Sequence, residues 1–136
     1  MDDAELWSRF EASALTHAEW THEAHLRTAF GFLQRFALDE AHLRLRAGII
    51  RMNERHGLVE SGTRGYFETL TRAWLVFVAD ARRRTAAPDS RSLLMAAPEL
   101  LDRTLPLRHY SRALLASTHA RAIFVEPDLV PLPNVE

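Results

Sequence analysis

Residues 17 to 25, His17-Ala18-Glu19-Trp20-Thr21-His22-Glu23-Ala24-His25, gather three of the chain's seven histidines and two glutamates into a short stretch. Imidazole changes charge near neutrality and ligates metals through a neutral nitrogen, so such a cluster suits proton transfer or metal binding. His22 and His25 stand three apart, a spacing that puts both rings on related faces of a helix and lets them converge on one ligand. A glutamate from a facing helix would complete the site, and Glu68 is the best candidate. The catalytic set read from the sequence is therefore His22, His25 and Glu68, with a histidine giving or taking a proton and Glu68 orienting it.

Binding groups come from two further blocks and one helix end. Gly65-Tyr66-Phe67-Glu68-Thr69-Leu70-Thr71-Arg72-Ala73-Trp74 offers Thr71 and Arg72 beside Glu68, between bulky aromatic residues. Asn53 lies a turn from His56, and Tyr110-Ser111-Arg112 forms a later polar group in which Arg112 would meet an anion. Each has a plainer reading: Glu68 and Arg72 as a surface i,i+4 pair, Tyr110 as a packed ring with its hydroxyl at a core edge.

No metal and no cofactor is assigned. His22 and His25 do not make the His-Glu-x-x-His pattern of zinc proteases, and Glu19 with His22 supplies only one of the two Glu-x-x-His pairs of a carboxylate-bridged di-iron bundle. Were a metal bound, Glu19, His22, His25 and Glu68 would be its ligands. The chain has no cysteine, which removes disulfides, thiolate catalysis and sulfur-ligated zinc.

At 136 residues the chain is sized for one domain with a real core. Its formal charge of -1 is mixed in sign along the sequence, and the strongest basic run, Arg82-Arg83-Arg84, suits the end of a helix better than a phosphate backbone. Nucleic acid is not an expected partner. The most apolar stretch, Ala73 to Ala79, is too short to span a bilayer, and the acidic start does not read as a signal peptide, so a cytoplasmic protein is expected.

The elements that must position these residues are helical. Leu6, Trp7 and Phe10 predict a helix over Ala4 to Ser13; Thr16 and Glu19, at capping-box spacing, predict a long helix from about His17 to Phe36. Asp39 is the expected cap of a third helix carrying His42, Leu45, Ile49, Met52 and His56 to a left-handed Gly57. A loop at Ser61 to Gly65 precedes a fourth helix from Tyr66 to about Arg84. Ser90 is the expected cap of Leu93 to Ala97, Pro98 opens a short turn to Leu101, and helices are expected from Pro106 to Leu115 and Ser117 to Phe124. Three prolines then forbid a helix over Val125 to Pro133, which should drape over the bundle. The prediction is a single all-α domain, residues 1–136, built as a compact helical bundle with an irregular proline-rich C-terminal segment over 125–136. Trp7, Trp20, Trp74 and several phenylalanines suggest an apolar face buried in a homodimer.

Across Trp20-Thr21-His22-Glu23-Ala24-His25-Leu26, Tyr66-Phe67-Glu68-Thr69-Leu70-Thr71, Tyr110-Ser111-Arg112 and Val125 to Pro133, the chain resembles a family of small uncharacterised bacterial proteins. The resemblance runs from about Phe10 to Pro133 and implies no particular reaction. In that family a histidine follows the tyrosine of the second block, whereas this chain has Phe67; a metal site using that imidazole would be lost or built differently. The expected function is a small-molecule enzyme or binding protein with a histidine/glutamate polar pocket. The alternative is a noncatalytic helical interaction or dimerisation module.

Overall fold

The computed structural model describes residues 1–135. Among them the chain forms α1 (Asp3–Glu11), α2 (His22–Arg35), α3 (Leu38–Arg55), α4 (Glu68–Thr85), α5 (Ser90–Ala96), α6 (Arg112–Leu115) and α7 (Thr118–Ala122). Two 3-10 turns, Pro98–Leu101 and Leu105–Arg108, join α5 to α6, and no strand occurs among the described residues. The architecture is the all-α bundle that the helical periodicity predicts. Helix α2 is its hub, packed against α1, α3, α4 and α5.

The core forms where the apolar stripes meet. Leu6 and Phe10 of α1 pack with Leu26, Phe30 and Phe32 of α2, Leu45 and Met52 of α3, and Leu75 and Val78 of α4, all buried. Each such side chain contributes about 1.5–3 kcal/mol by leaving water. Phe10, fully buried, stacks on Trp20 at 5.4 Å and meets Phe32 edge-on at 5.7 Å.

Helix α2 starts later than predicted. The Thr16–Glu19 capping box does form, with the Thr16 N–H donating to Glu19 at 2.9 Å and the Glu19 N–H donating to Thr16 Oγ1 at 3.2 Å, but it closes only a single turn. Both Arg9 amino groups of α1 also donate to that carboxylate, at 2.6 and 2.7 Å, which ties the turn to α1. The chain then resets, and Thr21 Oγ1 accepts the Ala24 N–H at 3.2 Å as the true N-cap of α2. His22 is thereby the first residue of the helix.

Two other predicted caps are displaced by one residue or put to another use. Asp39 lies inside the first turn of α3, after Ala37 at the N-cap, and pairs with Arg72 instead. Asp89 caps α5 by accepting the Ser92 N–H at 2.8 Å, while Ser90 is buried and donates its hydroxyl to Asp3, which also pairs with Arg27. Gly57 does end α3 with φ +74°, as its position after the helix predicts. The helix expected from Pro106 is broken: a 3-10 turn ends at Arg108, and Ser111 starts α6 afresh by capping the Leu114 N–H.

Residues 124–135 have no regular secondary structure. They are held by polar contacts: Thr69 donates to the Ile123 carbonyl at 2.9 Å and accepts the Val125 N–H at 3.2 Å, and His109 Nδ1–H donates to the carbonyls of Val130 and Pro131.

Candidate functional site

A cavity of about 600 Å3 opens between α2, α3 from Leu45 onward, the first half of α4 and the 57–66 loop. Its apolar wall includes Leu26 and Ala29 from α2, Leu45 and Ile49 from α3, and Leu70 and Leu75 from α4. The polar groups on its wall are Thr21, His22, His25, Asn53, Tyr66, Thr71 and Arg103, with Trp20 and Trp74 beside the histidines. A mostly apolar wall with a few placed polar groups, at this volume, is the usual composition of a small-molecule site.

Local helix geometry explains which residues arrive. His22, His25, Leu26 and Ala29 lie at three- and four-residue steps on one stripe of α2, and Phe67, Leu70, Thr71 and Trp74 do the same at the start of α4. Each histidine is set against an indole. The His25 ring lies 3.8 Å from the Trp20 ring at 31°, and the His22 ring meets Trp74 at 4.6 Å and 67°.

The His22 tautomer follows from a hydrogen bond. Its Nε2–H donates to the Leu100 carbonyl at 2.9 Å, so in the neutral ring Nδ1 carries the lone pair. Burial pulls the His22 pKa below the usual 6.5; the Leu100 bond opposes this, and the Arg103 guanidinium adds to the lowering. His25 is lowered further, to about 3, by its position within the protein mass and then by His22 and Arg103. Its ring is nonetheless exposed through the cavity. Both shifts favour the neutral form of the rings.

Glu68 belongs to a different constellation. On α4 it shares with Arg72 the stripe next to the cavity wall, and that stripe faces the first half of α3. Glu68 Oε1 accepts from His42 Nε2–H at 2.5 Å and from the Tyr66 hydroxyl at 2.7 Å, while Oε2 accepts from Arg46 at 2.8 Å. Burial alone would raise the Glu68 pKa; the bonds from Tyr66 and His42 and the charge of Arg46 outweigh it and hold the carboxyl below its usual value. Arg72 donates to Asp39 at 2.9 Å and lies 3.4 Å from His42 Nδ1. All these groups are engaged with one another, and together they clamp α3 to α4.

The residues predicted from the sequence thus divide. His22, His25, Asn53 and Thr71 meet at one cavity. Glu68 and Arg72 lie off its wall in the α3–α4 clamp, so the Leu100 carbonyl, and not Glu68, orients His22. Tyr110 is fully buried and donates to the Val125 carbonyl at 2.8 Å, anchoring the C-terminal segment, while Arg112 is exposed at the start of α6. Neither lines the cavity. Glu19 is held by Arg9 and Thr16, and no group of three or more His, Cys, Asp or Glu side chains among the described residues is arranged to hold a metal ion.

Two wall residues had no sequence signal. Arg103 sits between the two 3-10 turns, where no periodicity assigns a direction, and Tyr66 enters by its ring while its hydroxyl turns to Glu68. Phe67 also lines the cavity and lies under the Arg121 guanidinium at 4.5 Å.

The 57–66 loop forms the rim. Gly65 has φ +98°, and a Cβ there would fall 1.9 Å from Glu60 Oε2, which accepts the Tyr66 N–H at 2.7 Å. The Glu60 carboxylate can swing aside, so it is the positive φ that favours glycine here. A second depression of about 570 Å3, lined by Leu33, Phe36, Arg82 and Arg83 among others, has no histidine on its wall. Its guanidinium groups are already spent on the Leu33 carbonyl and on Asp80 and the Asn134 carbonyl.

Compared with models of protein families, with curated proteins and with solved structures, the chain has no match. No described helix is long and apolar enough to cross a membrane.

Proposed function

We propose that the protein holds a small molecule in the His22/His25 cavity, with His22 positioned to exchange a proton with it. The observation that carries this reading is the convergence of two histidines on one mostly apolar cavity, with the tautomer of one fixed by the Leu100 carbonyl. A ring kept neutral at pH 7 is ready to accept a proton, and a general base needs to lie within hydrogen-bond reach of the group it deprotonates. Thr71 donates to the Phe67 carbonyl at 2.8 Å and keeps an acceptor lone pair; Asn53 reaches Glu60 at 3.4 Å and retains donor capacity.

Trp20 and Trp74 supply the test. Small molecules are screened by tryptophan emission against the wild-type chain and Ala29→Phe, which fills the cavity from α2, with circular dichroism confirming that the variant is helical. Ligands that perturb the wild type and not the variant support the proposal. A screen in which both proteins respond alike rejects it.

The second reading, a module that docks through an apolar face or pairs with a second copy, draws on exposed Leu43, Val59, Met95, Leu101, Ile123, Leu129 and Val130. These stand on several separate elements, and isolated exposed apolar residues are ordinary. A monomer by light scattering at micromolar concentration rejects the homodimer.

A further inference from the structure

Resting on the cavity reading, the charge pattern of the wall narrows the ligand class. Among the described residues no Asp or Glu lines the cavity, and Arg103 is the one charged wall group. Among the described residues no carboxylate forms an ion pair with Arg103. Acids near the rim are engaged elsewhere: Glu68 in the clamp with His42 and Arg46, Glu60 on the Tyr66 N–H, and Asp102 on the Thr104 N–H and hydroxyl.

We propose that the cavity takes a monoanionic amphiphile, a carboxylate-headed molecule whose head meets Arg103 and the histidine pair and whose apolar tail lies among Leu26, Leu45, Ile49 and Leu70. A guanidinium presents a planar fork matched to a carboxylate. One guanidinium on a largely apolar wall balances one negative charge. A cationic ligand meets Arg103 with no acid to offset it.

Anion binding also favours protons on the rings. The titratable or charged groups facing the site are His22 and His25 from α2, Tyr66 from the loop before α4, and Arg103 from the segment after α5; the wall residues from α3 and α4 are uncharged. The Tyr66 hydroxyl is turned to Glu68, so the histidines alone respond near neutrality. A bound carboxylate offsets the repulsion from Arg103 and between the rings, and binding then draws in a proton.

The experiment uses matched trios of carboxylate, alcohol and primary amine on the same tails, from hexyl to dodecyl and phenylbutyl, titrated into the full chain by calorimetry. Variants are Arg103→Met and Arg103→Lys, and Arg103 is exposed, so folding is not at stake. The carboxylate is expected to bind about tenfold more tightly than its alcohol, with the amine weakest. Arg103→Met brings the carboxylate down to the alcohol, Arg103→Lys restores most of the gap, and lowering the pH from about 8 to about 6 tightens the carboxylate alone. Equal binding of acid and alcohol by the wild type, or a gap that survives Arg103→Met, overturns the anion class and leaves the cavity reading standing. Failure of every trio to bind also overturns the amphiphile, and the tryptophan screen against Ala29→Phe then decides the cavity reading by itself.

Discussion

The Tyr66 hydroxyl donates to Glu68 Oε1 at 2.7 Å while the Tyr66 ring forms part of the cavity wall. One residue therefore belongs to both the α3–α4 clamp and the candidate site, and the clamp sets the distance between two of the cavity's walls. Burial and the Glu68 bond push the Tyr66 hydroxyl well above its ordinary pKa, so it stays a donor at any working pH.

Removing the acceptor of this clamp should cost stability before it costs binding. Glu68→Ala leaves His42, Tyr66 and Arg46 without their shared partner, and a loss of about 3 kcal/mol is expected, with about 1 kcal/mol for Tyr66→Phe. Urea denaturation measures both. Glu68→Gln, if folded, should retain ligand affinity because the carboxylate does not line the cavity; a collapse of binding in that variant would place Glu68 in the site after all.

Acid should weaken the fold in two stages. The folded Glu68 and Asp3 pKa values lie below their ordinary 4.5 and 3.8, so these carboxylates contribute stability that is full above those values and is lost as pH falls through the folded ones. For Asp3, burial opposes the shift and the bonds from Ser90 and Arg27 overcome it. The histidines act higher on the scale. Their folded values lie below 6.5, so as pH drops past about 6.5 the unfolded chain takes up protons that the folded chain refuses, and stability falls. Denaturation midpoints should decline from pH 7 to pH 5 in the wild type and more shallowly in His25→Gln; parallel curves would show that His25 titrates alike in both states.

The same environment is visible ring by ring. The His25 imidazole, stacked on Trp20 and facing His22 and Arg103, should titrate in proton NMR with a midpoint below the ordinary 6.5, and Arg103→Met should raise it. A midpoint at or above 6.5 in the wild type would contradict the arrangement of the cavity wall. The His22 midpoint should also lie low and should move with Arg103.

What the sequence made legible follows from the range of the interactions involved. The amphipathic stripes of α2, α3 and α4 repeat every turn, so Leu26, Leu45, Met52 and Val78 declare their burial locally, and His22 and His25, at i,i+3 spacing, both line the cavity. The partner of Glu68 was not legible. His42 and Arg46 also stand at helical spacing, but which stripe of α4 meets which half of α3 depends on the packing of whole helices, and Glu68 lies one position round from the cavity face. The start of α2 was misplaced for a related reason: the capping box is real, but Arg9, ten residues before Glu19, recruits it to α1. Arg103 and Tyr110 lie outside long helices, where no period points a side chain inward or outward.

Gly48 tests the packing that holds α1 against α3. Replacing glycine by alanine inside a helix ordinarily gains about 1 kcal/mol from propensity. Here a Cβ would sit 2.4 Å from two ring carbons of Phe10, whose side chain is fully buried and is fixed by Trp20 and Phe32. The ring has nowhere open to turn, and overpacking of a filled core costs about 1–3 kcal/mol. Clash should win: Gly48→Ala lowers the denaturation midpoint, and adding Phe10→Leu, destabilising alone because it leaves a void, should be less damaging in the Gly48→Ala background than in the wild type. A double-mutant cycle measures that coupling, and additive effects would mean that α1 and α3 separate enough to take the methyl group without involving Phe10.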